Sequence, residues 1–396
     1  MKEESLLLLS DLQKLINQVV LIDYTIIILG GYIMRAVIFS DEKKLDNLDI
    51  DNNLPDEKGI VLSVIASGIC GTDLHIIEGE GNLCGNVILG HEFYGSIDKI
   101  EAGSKVQCLN GNVEVGDFVT VVPGIICNEC TYCNSLPLNE NYCLNRSVFG
   151  LNMRDAKSDI VYGGNMEQIF IPEKFYLYKV PKSWPLGLAT LLEPVSVAVK
   201  TVKRTLKYVE NIKNRSLTAV IFGLGTLGFF IGTKLRKCGV KVIGIDPEKS
   251  RRDRALRNGI EDVFSYEEMT EEFYKKYCKN RWNGIEADMV FEAVGKPDVF
   301  AYALHFARKG GVVMEVGNFL FSGNAEISPN LICNRELIIV GSVLADANSY
   351  FEAEEILEEF VDKSSEVICN YEVDEYEQAF RSALSRTEGL KSNLIF

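Results

Sequence analysis

The run Thr218–Phe222 is followed at once by Gly223-Leu224-Gly225-Thr226-Leu227-Gly228. An apolar run of this kind reads as a buried strand. Leu227–Cys238 then reads as a helix and Val240–Ile245 as a second strand ending at Asp246. Two strands joined through a helix pair in parallel. The three glycines have separate jobs in such a unit. Gly223 makes the tight turn, Gly225 lets backbone approach a pyrophosphate, and Gly228 lets helix and strand pack closely. Asp246 lies 18 residues after Gly228, where a carboxylate accepts from a ribose 2′-hydroxyl and repels a 2′-phosphate. The unit therefore points to a nicotinamide dinucleotide, NAD rather than NADP. FAD and S-adenosylmethionine sites share the glycine pattern, and a packing turn with no ligand is the plain alternative. Arg251 and Arg252 bear on the choice, because cations near Asp246 tolerate a phosphate; both also suit a solvated helix face, and Arg251 suits a place against the adenosine.

The alternation extends over 190–334, with a helix at Ser250–Asn258 and strands at Asp288–Glu292 and Val312–Val316. It predicts an α/β doubly wound parallel sheet. From Met34 to about Lys182 the chain differs. Short β-rich runs (Ile60–Ile65, Val87–Leu89, Phe118–Val122, Met166–Ile171) alternate with turn signals such as Val115-Gly116-Asp117 and Gly163-Gly164, which predicts a β-barrel-like domain. The tail from Leu337 is mixed and ends in a short strand, Ser392–Phe396. Residues 1–33 are unlike both parts. Ser5–Val20 reads as an amphipathic helix and Val20–Leu29 as a strand, before Gly30-Gly31 breaks the chain. This segment is expected to be an appendage or the product of an upstream start codon, dispensable for fold and activity. It is no signal peptide: Lys2-Glu3-Glu4 is net acidic, and the leucine run 6–9 stops at Ser10-Asp11. Val19–Ile33 is interrupted by Asp23 and too short to span a bilayer comfortably. A net charge of −15 argues against a nucleic-acid partner. The expected setting is cytoplasmic, away from membranes.

Four of the eleven cysteines fall in one window: Cys127, Cys130, Cys133 and Cys143. Four thiolates at these spacings can wrap one Zn²⁺ tetrahedrally, a closed and hence structural site. Unligated loop thiols are the bland alternative. A second group of reactive side chains is Cys70-Gly71-Thr72-Asp73-Leu74-His75, at the end of the strand-like run Ile60–Ile65. His91, 21 residues after Cys70, is one of three histidines and adjoins Glu92. Glu193 precedes the helix-like Val195–Val202. Cys70, His91 and a carboxylate from Glu92 or Glu193 would leave a zinc with an open position, the catalytic form. Asp73 then suits the outer layer, accepting from the His91 imidazole. A core histidine, a helix-capping carboxylate and a turn aspartate are the ordinary readings of His91, Glu193 and Asp73.

Taken together, the residues from Met34 onward resemble the zinc-dependent medium-chain alcohol and polyol dehydrogenase family. The resemblance rests on Gly68-Ile69-Cys70-Gly71-Thr72-Asp73, Gly90-His91-Glu92, the four-cysteine loop, Glu193-Pro194 and the glycine turn. Phe291-Glu292-Ala293-Val294-Gly295, Gly310-Gly311-Val312-Val313 and Glu336–Ser342 extend it. It implies a GroES-like catalytic domain over 34–190 and 336–396, carrying a structural zinc loop at 123–146. A Rossmann NAD-binding domain would fill 191–335, with the active site in the cleft between. It implies two zinc ions per chain. Cys70, His91 and one or both of Glu92 and Glu193 would hold the catalytic zinc, and Thr72 with His75 would relay the proton. Leu227, Asp246, Arg251, Val294, Val316 and Gly317 match cofactor-contact positions. The implied reaction is hydride transfer from a secondary alcohol (a polyol, sugar or related hydroxy compound) to NAD. The implied assembly is a homo-oligomer, dimer or tetramer. The alternative is a catalytically silent zinc and nucleotide-binding protein with a regulatory or assembly role. The chain departs from the family at four places. Cys143 comes two residues later than usual, so its loop must bulge. Ile76 replaces the tyrosine that sorbitol dehydrogenases carry, Ser342-Val343-Leu344 lacks their Arg-Tyr pair, and Lys200 stands where many members have His. These departures speak against sorbitol itself. Leu74-His75-Ile76 is closer to threonine dehydrogenases, which usually lack the Glu-Pro pair.

Overall fold

The structure is a computed structural model, and it describes residues 21–22, 25–28, 31–40, 42–52, 58–79, 86–135, 140–154, 160–317, 323–385 and 389–396. The helix expected at Ser5–Val20 lies outside the described residues. Six strands form one wholly parallel sheet in the order Asp262–Phe264, Lys241–Ile245, Thr218–Phe222, Ala287–Glu292, Ala307–Glu315, Ile338–Gly341. Thr218–Phe222 is central and buried along its whole length, as a strand covered by helices on both faces must be. The chain runs outward from it in one direction and then returns to its other side. That switch point opens a crevice at the carboxyl ends of the strands.

The second sheet has eight strands, with the path Ile368–Glu372, Lys391–Ile395, Gly59–Gly68, Glu92–Ile100, Phe118–Val121, Tyr176–Lys179, Gln107–Cys108, and with Gln168–Pro172 paired to Gly59–Gly68. The C-terminal strand joins it directly, through pairs such as Asn393↔Gly68. A smaller sheet contains Gly31–Phe39, Leu45–Asn52 and Val87–Ile88. The helix Leu192–Leu206 bridges the two halves. Leu191, Leu192 and Val195 belong to one buried cluster with Tyr94 and Tyr178 on one side and Ile221 and Phe230 on the other. Its first turn is thereby fixed in the junction.

Three sequence expectations shift. Where one strand was expected over Val20–Leu29, the described residues form two short strands, Leu21–Ile22 and Thr25–Ile28, paired antiparallel. The strand Gly31–Phe39 runs straight through the expected boundary at 33/34, since Tyr32 and Ile33 continue the ladder to Asn52 and Asp51. The parallel sheet takes its sixth strand, Ile338–Gly341, from beyond the expected boundary at 335/336. The chain rejoins the catalytic sheet only at Ile368–Glu372.

Candidate active site and cofactor groove

Cys70 is the N-cap of a short helix, Gly71–Ile77, that follows the strand Gly59–Gly68. Its backbone N–H donates to Asp73 Oδ2 at 2.8 Å, so the aspartate closes the first turn. Sequence reading placed only a glycine-rich strand end here, because seven residues are too few to show a helical period. The strand Glu92–Ile100 pairs antiparallel with Gly59–Gly68, setting Gly68 opposite Glu92 and Ser67 opposite Phe93. That register delivers His91 and Glu92 to Cys70. The three ligand atoms lie within 4.8 Å of one another. Glu193, in the first turn of Leu192–Leu206, lines the same cavity but is not part of that tight group.

Asp73, His91, Glu92 and Glu193 are all buried, and such a concentration of acids has electrostatic consequences. Burial opposes charge on His91, but Cys70 and then Asp73 outweigh it and push the imidazole well up. Burial, then Glu92, pushes the Glu193 carboxyl up to about 7. His91 Nδ1 and Glu193 Oε1 have no hydrogen-bond partner among the described residues. An unmet buried polar atom costs about 1–3 kcal/mol. A mixed sulfur, nitrogen and oxygen set with unmet buried atoms suits a zinc ion, whose charge would hold the thiol and carboxyls ionised. The expected hydrogen bond from His91 to Asp73 is not formed: His91 Nδ1 and Asp73 Oδ1 are 3.7 Å apart, an ion-pair distance. The capping bond to Cys70 holds the other carboxylate oxygen in the turn.

Lys391 is a site residue that sequence reading missed. Its side chain is 3% exposed, ion-pairs with Glu92 and donates to Ile69 O at 3.1 Å. Burial disfavours its charge, and Glu92 overcomes that. No pattern announces it, because a lysine opening a C-terminal strand usually faces solvent.

The cavity, about 520 Å³, holds Cys70, Thr72, His75, His91, Glu92 and Glu193 in one wall. Thr72 Oγ1 is 3.8 Å from Cys70 Sγ. The same cavity continues over Gly223, Gly225, Leu227, Asp246 and Arg251, and past Val294, Val316 and Gly317. Gly223 has φ +89° and turns beneath Ala293. Above Gly225 the space is open, the nearest atom to an added Cβ being Arg251 Nη1 at 3.6 Å. Gly228 lies behind the groove, where an added Cβ would sit 1.8 Å from Gly223 O. Asp246 accepts from Leu224 N–H and Glu248 N–H, both at 2.8 Å, with Arg251 Nη1 at 3.4 Å. Arg252 is bound to the carbonyls of Asp246 and Pro247. Room above Gly225 and a buried carboxylate at the next strand's end suit a dinucleotide.

Cys127, Cys130, Cys133 and Cys143 form the second tight group, based on the antiparallel pair Gly124–Ile125 and Ser147–Val148. Sγ–Sγ distances include 3.4 Å for Cys130–Cys133 and 3.5 Å for Cys143–Cys127. Backbone N–H groups point at the sulfurs, from Cys130 to Cys127 at 3.3 Å and from Cys127 to Cys143 at 3.2 Å. Such bonds favour thiolate, as a tetrahedral zinc requires. Residues 136–139, where the longer loop should bulge, lie outside the described residues.

Comparison with known proteins agrees with both halves of the fold. Residues 56–182 match the alcohol dehydrogenase GroES-like domain, and residues 226–359 match the zinc-binding dehydrogenase family. A probable D-xylulose reductase A from Aspergillus fumigatus is 28% identical over 305 residues, 75% of this chain and 78% of the relative. An alcohol dehydrogenase of Thermotoga maritima superposes with a TM-score of 0.81 at 22% identity, over 92% of this chain and 100% of that one. L-idonate 5-dehydrogenase of Escherichia coli gives a TM-score of 0.76 at 20% identity, over 92% and 99% of the chains. With the two family matches together covering most of the chain, the chain belongs to the zinc-dependent medium-chain alcohol and polyol dehydrogenases.

Proposed function

We propose that the protein transfers a hydride from a secondary alcohol, a polyol or a related hydroxy compound, to NAD. One observation carries the reading: the Cys70, His91 and Glu92 group and the glycine turn open into a single cavity. Bound there, zinc supplies Lewis-acid polarisation of an alcohol oxygen, and NAD supplies the hydride acceptor. Cys70, His91 and Glu92 would hold the zinc. Glu193, buried in the same wall, balances its charge or takes Glu92's place. Thr72 and His75 line the cavity beside the group and carry the proton out. Asp246 holds a ribose and disfavours a 2′-phosphate. The D-xylulose reductase likeness supports a polyol and ketose pair as the substrate class. We place the enzyme in the cytoplasm, as the sequence reading expects; among the described residues no helix is long and apolar enough to cross a membrane. The exposed edge strand Ile338–Gly341 offers a face for a homo-oligomer, dimer or tetramer, which light scattering would size.

Cys70→Ala is the direct test. The wild type should contain two zinc ions, one per group, and form NADH with a polyol. The variant should lose one zinc and turnover together and keep its affinity for NADH. A fully active variant would sink the assignment. A wild type with one zinc and no turnover on any alcohol would favour the silent alternative.

A further inference from the structure

Lys200 lies on the helix Leu192–Leu206, seven residues, about two turns, beyond Glu193. It is 8% exposed, a degree of burial that a lysine tolerates only where its ammonium is satisfied. Its ammonium donates to Val343 O at 2.7 Å and to Leu344 O at 3.0 Å. One position further on, Thr201 Oγ1 bonds to Ser342 Oγ at 3.0 Å. Three consecutive residues, Ser342, Val343 and Leu344, are thus tied to one turn of this helix, and all three line the active-site cavity.

The segment needs such a tie. The sheet strand before it ends at Gly341, and Ser342 N–H makes the last bond to the sheet, to Glu315 O at 3.0 Å. Beyond that point no ladder holds the chain. Leu344 has φ +54°, a left-handed conformation that a branched side chain adopts only when its surroundings impose it. Two carbonyls converging on one ammonium impose it here. A compact cation on a four-carbon stem fits between two adjacent carbonyls, where a planar fork fits less well.

We infer that Lys200 is a positioning residue that clamps the carbonyls of Val343 and Leu344 and so fixes the cavity wall against which the alcohol is read. The inference rests on the dehydrogenase reading for what the wall is used for, but the clamp itself is independent of it.

Lys200→Met and Lys200→Arg test this together. Hydrogen exchange of the amides in 342–346 should quicken by about tenfold or more in Lys200→Met, with the glycine-turn amides unchanged. KM for the alcohol that the wild type uses best should rise by about tenfold, and kcat should move by less than about threefold. Both zinc ions should be retained. Lys200→Arg keeps the buried charge, so it should fold even if Lys200→Met does not, and should fall between the two in exchange and in KM. Unchanged exchange in 342–346 in the variants would overturn the clamp, and so would quickened exchange with an unchanged KM. Loss of a zinc ion would overturn it too, placing the role of Lys200 at Glu193 instead. A wild type that oxidises no alcohol would defeat the dehydrogenase reading, while the exchange measurement would still decide the clamp.

Discussion

Glu292 and Glu315 end two neighbouring parallel strands and stand opposite each other in register. Glu292 is fully buried; its Oε1 accepts from Val294 N–H at 2.9 Å and Gly295 N–H at 3.0 Å, fixing one loop of the cofactor groove. Burial, and then the neighbouring Glu315, pushes its carboxyl up to about 8 from an ordinary 4.5. The folded protein therefore holds this proton more tightly than the unfolded chain. The group's contribution to stability is complete below 4.5 and is lost as the pH rises through about 8. Melting temperature of the cofactor-free protein should fall over that window, and Glu315→Gln should flatten the fall; parallel curves for the two proteins would refute the coupling. Such pairs are invisible in sequence, where Glu292 and Glu315 are merely acids at strand ends. The same holds for Lys391. That Cys70, His91 and Glu92 come together in space could be expected from the sequence, because their residue types are rare together. That Glu92 rather than Glu193 joins this tight group was not, since it depends on where a helix from the domain junction arrives.

Helices and strands were legible where they carried a long period or sharp punctuation. Thr218–Phe222 falls where the apolar run placed it, and the glycines bound it. Gly71–Ile77 was missed because its short length hides its period and Cys70, rather than serine or threonine, caps it. Within the glycine turn, the structure separates two roles that the sequence only names. An alanine methyl at Gly228 would meet Gly223 O at 1.8 Å, so helix and strand would have to part. Gly228→Ala should cost about 1–3 kcal/mol of stability. At Gly225 nothing lies nearer than 3.6 Å and the backbone is extended, so alanine fits the fold but intrudes on the groove. Gly225→Ala should melt with the wild type and bind NADH about tenfold more weakly, the loss of a close backbone approach. Melting curves and NADH fluorescence, read side by side, check both. A Gly225→Ala protein with full NADH affinity would show that the groove is not where the pyrophosphate lies.

For the molecule as a whole, the domain order was legible and the seams were not. A seam is a matter of which ladder a segment joins, and an apolar run after Leu337 reads the same in either sheet. The N-terminal seam is the one where this has a direct consequence. Removing residues 1–33 deletes the strand pairs Tyr32↔Asn52 and Ile33↔Asp51 and the hairpin before them. It spares the ladder from Met34↔Ile50 to Phe39↔Leu45, and with it the pairing of Phe39 to Val87 that leads toward His91. Among the described residues of that segment, the deleted backbone belongs to the small sheet and none lines the active-site cavity. Turnover should therefore stay within about twofold of the full chain, while the melting temperature drops by a few degrees, about 2–4 °C for each kcal/mol lost. A truncation beginning at Gly31 instead keeps the whole ladder to Leu45–Asn52 and should melt above the one beginning at Met34. Equal melting of the two truncations would mean that the strand gains nothing beyond Met34, and loss of turnover in either would give the first residues a part in the site.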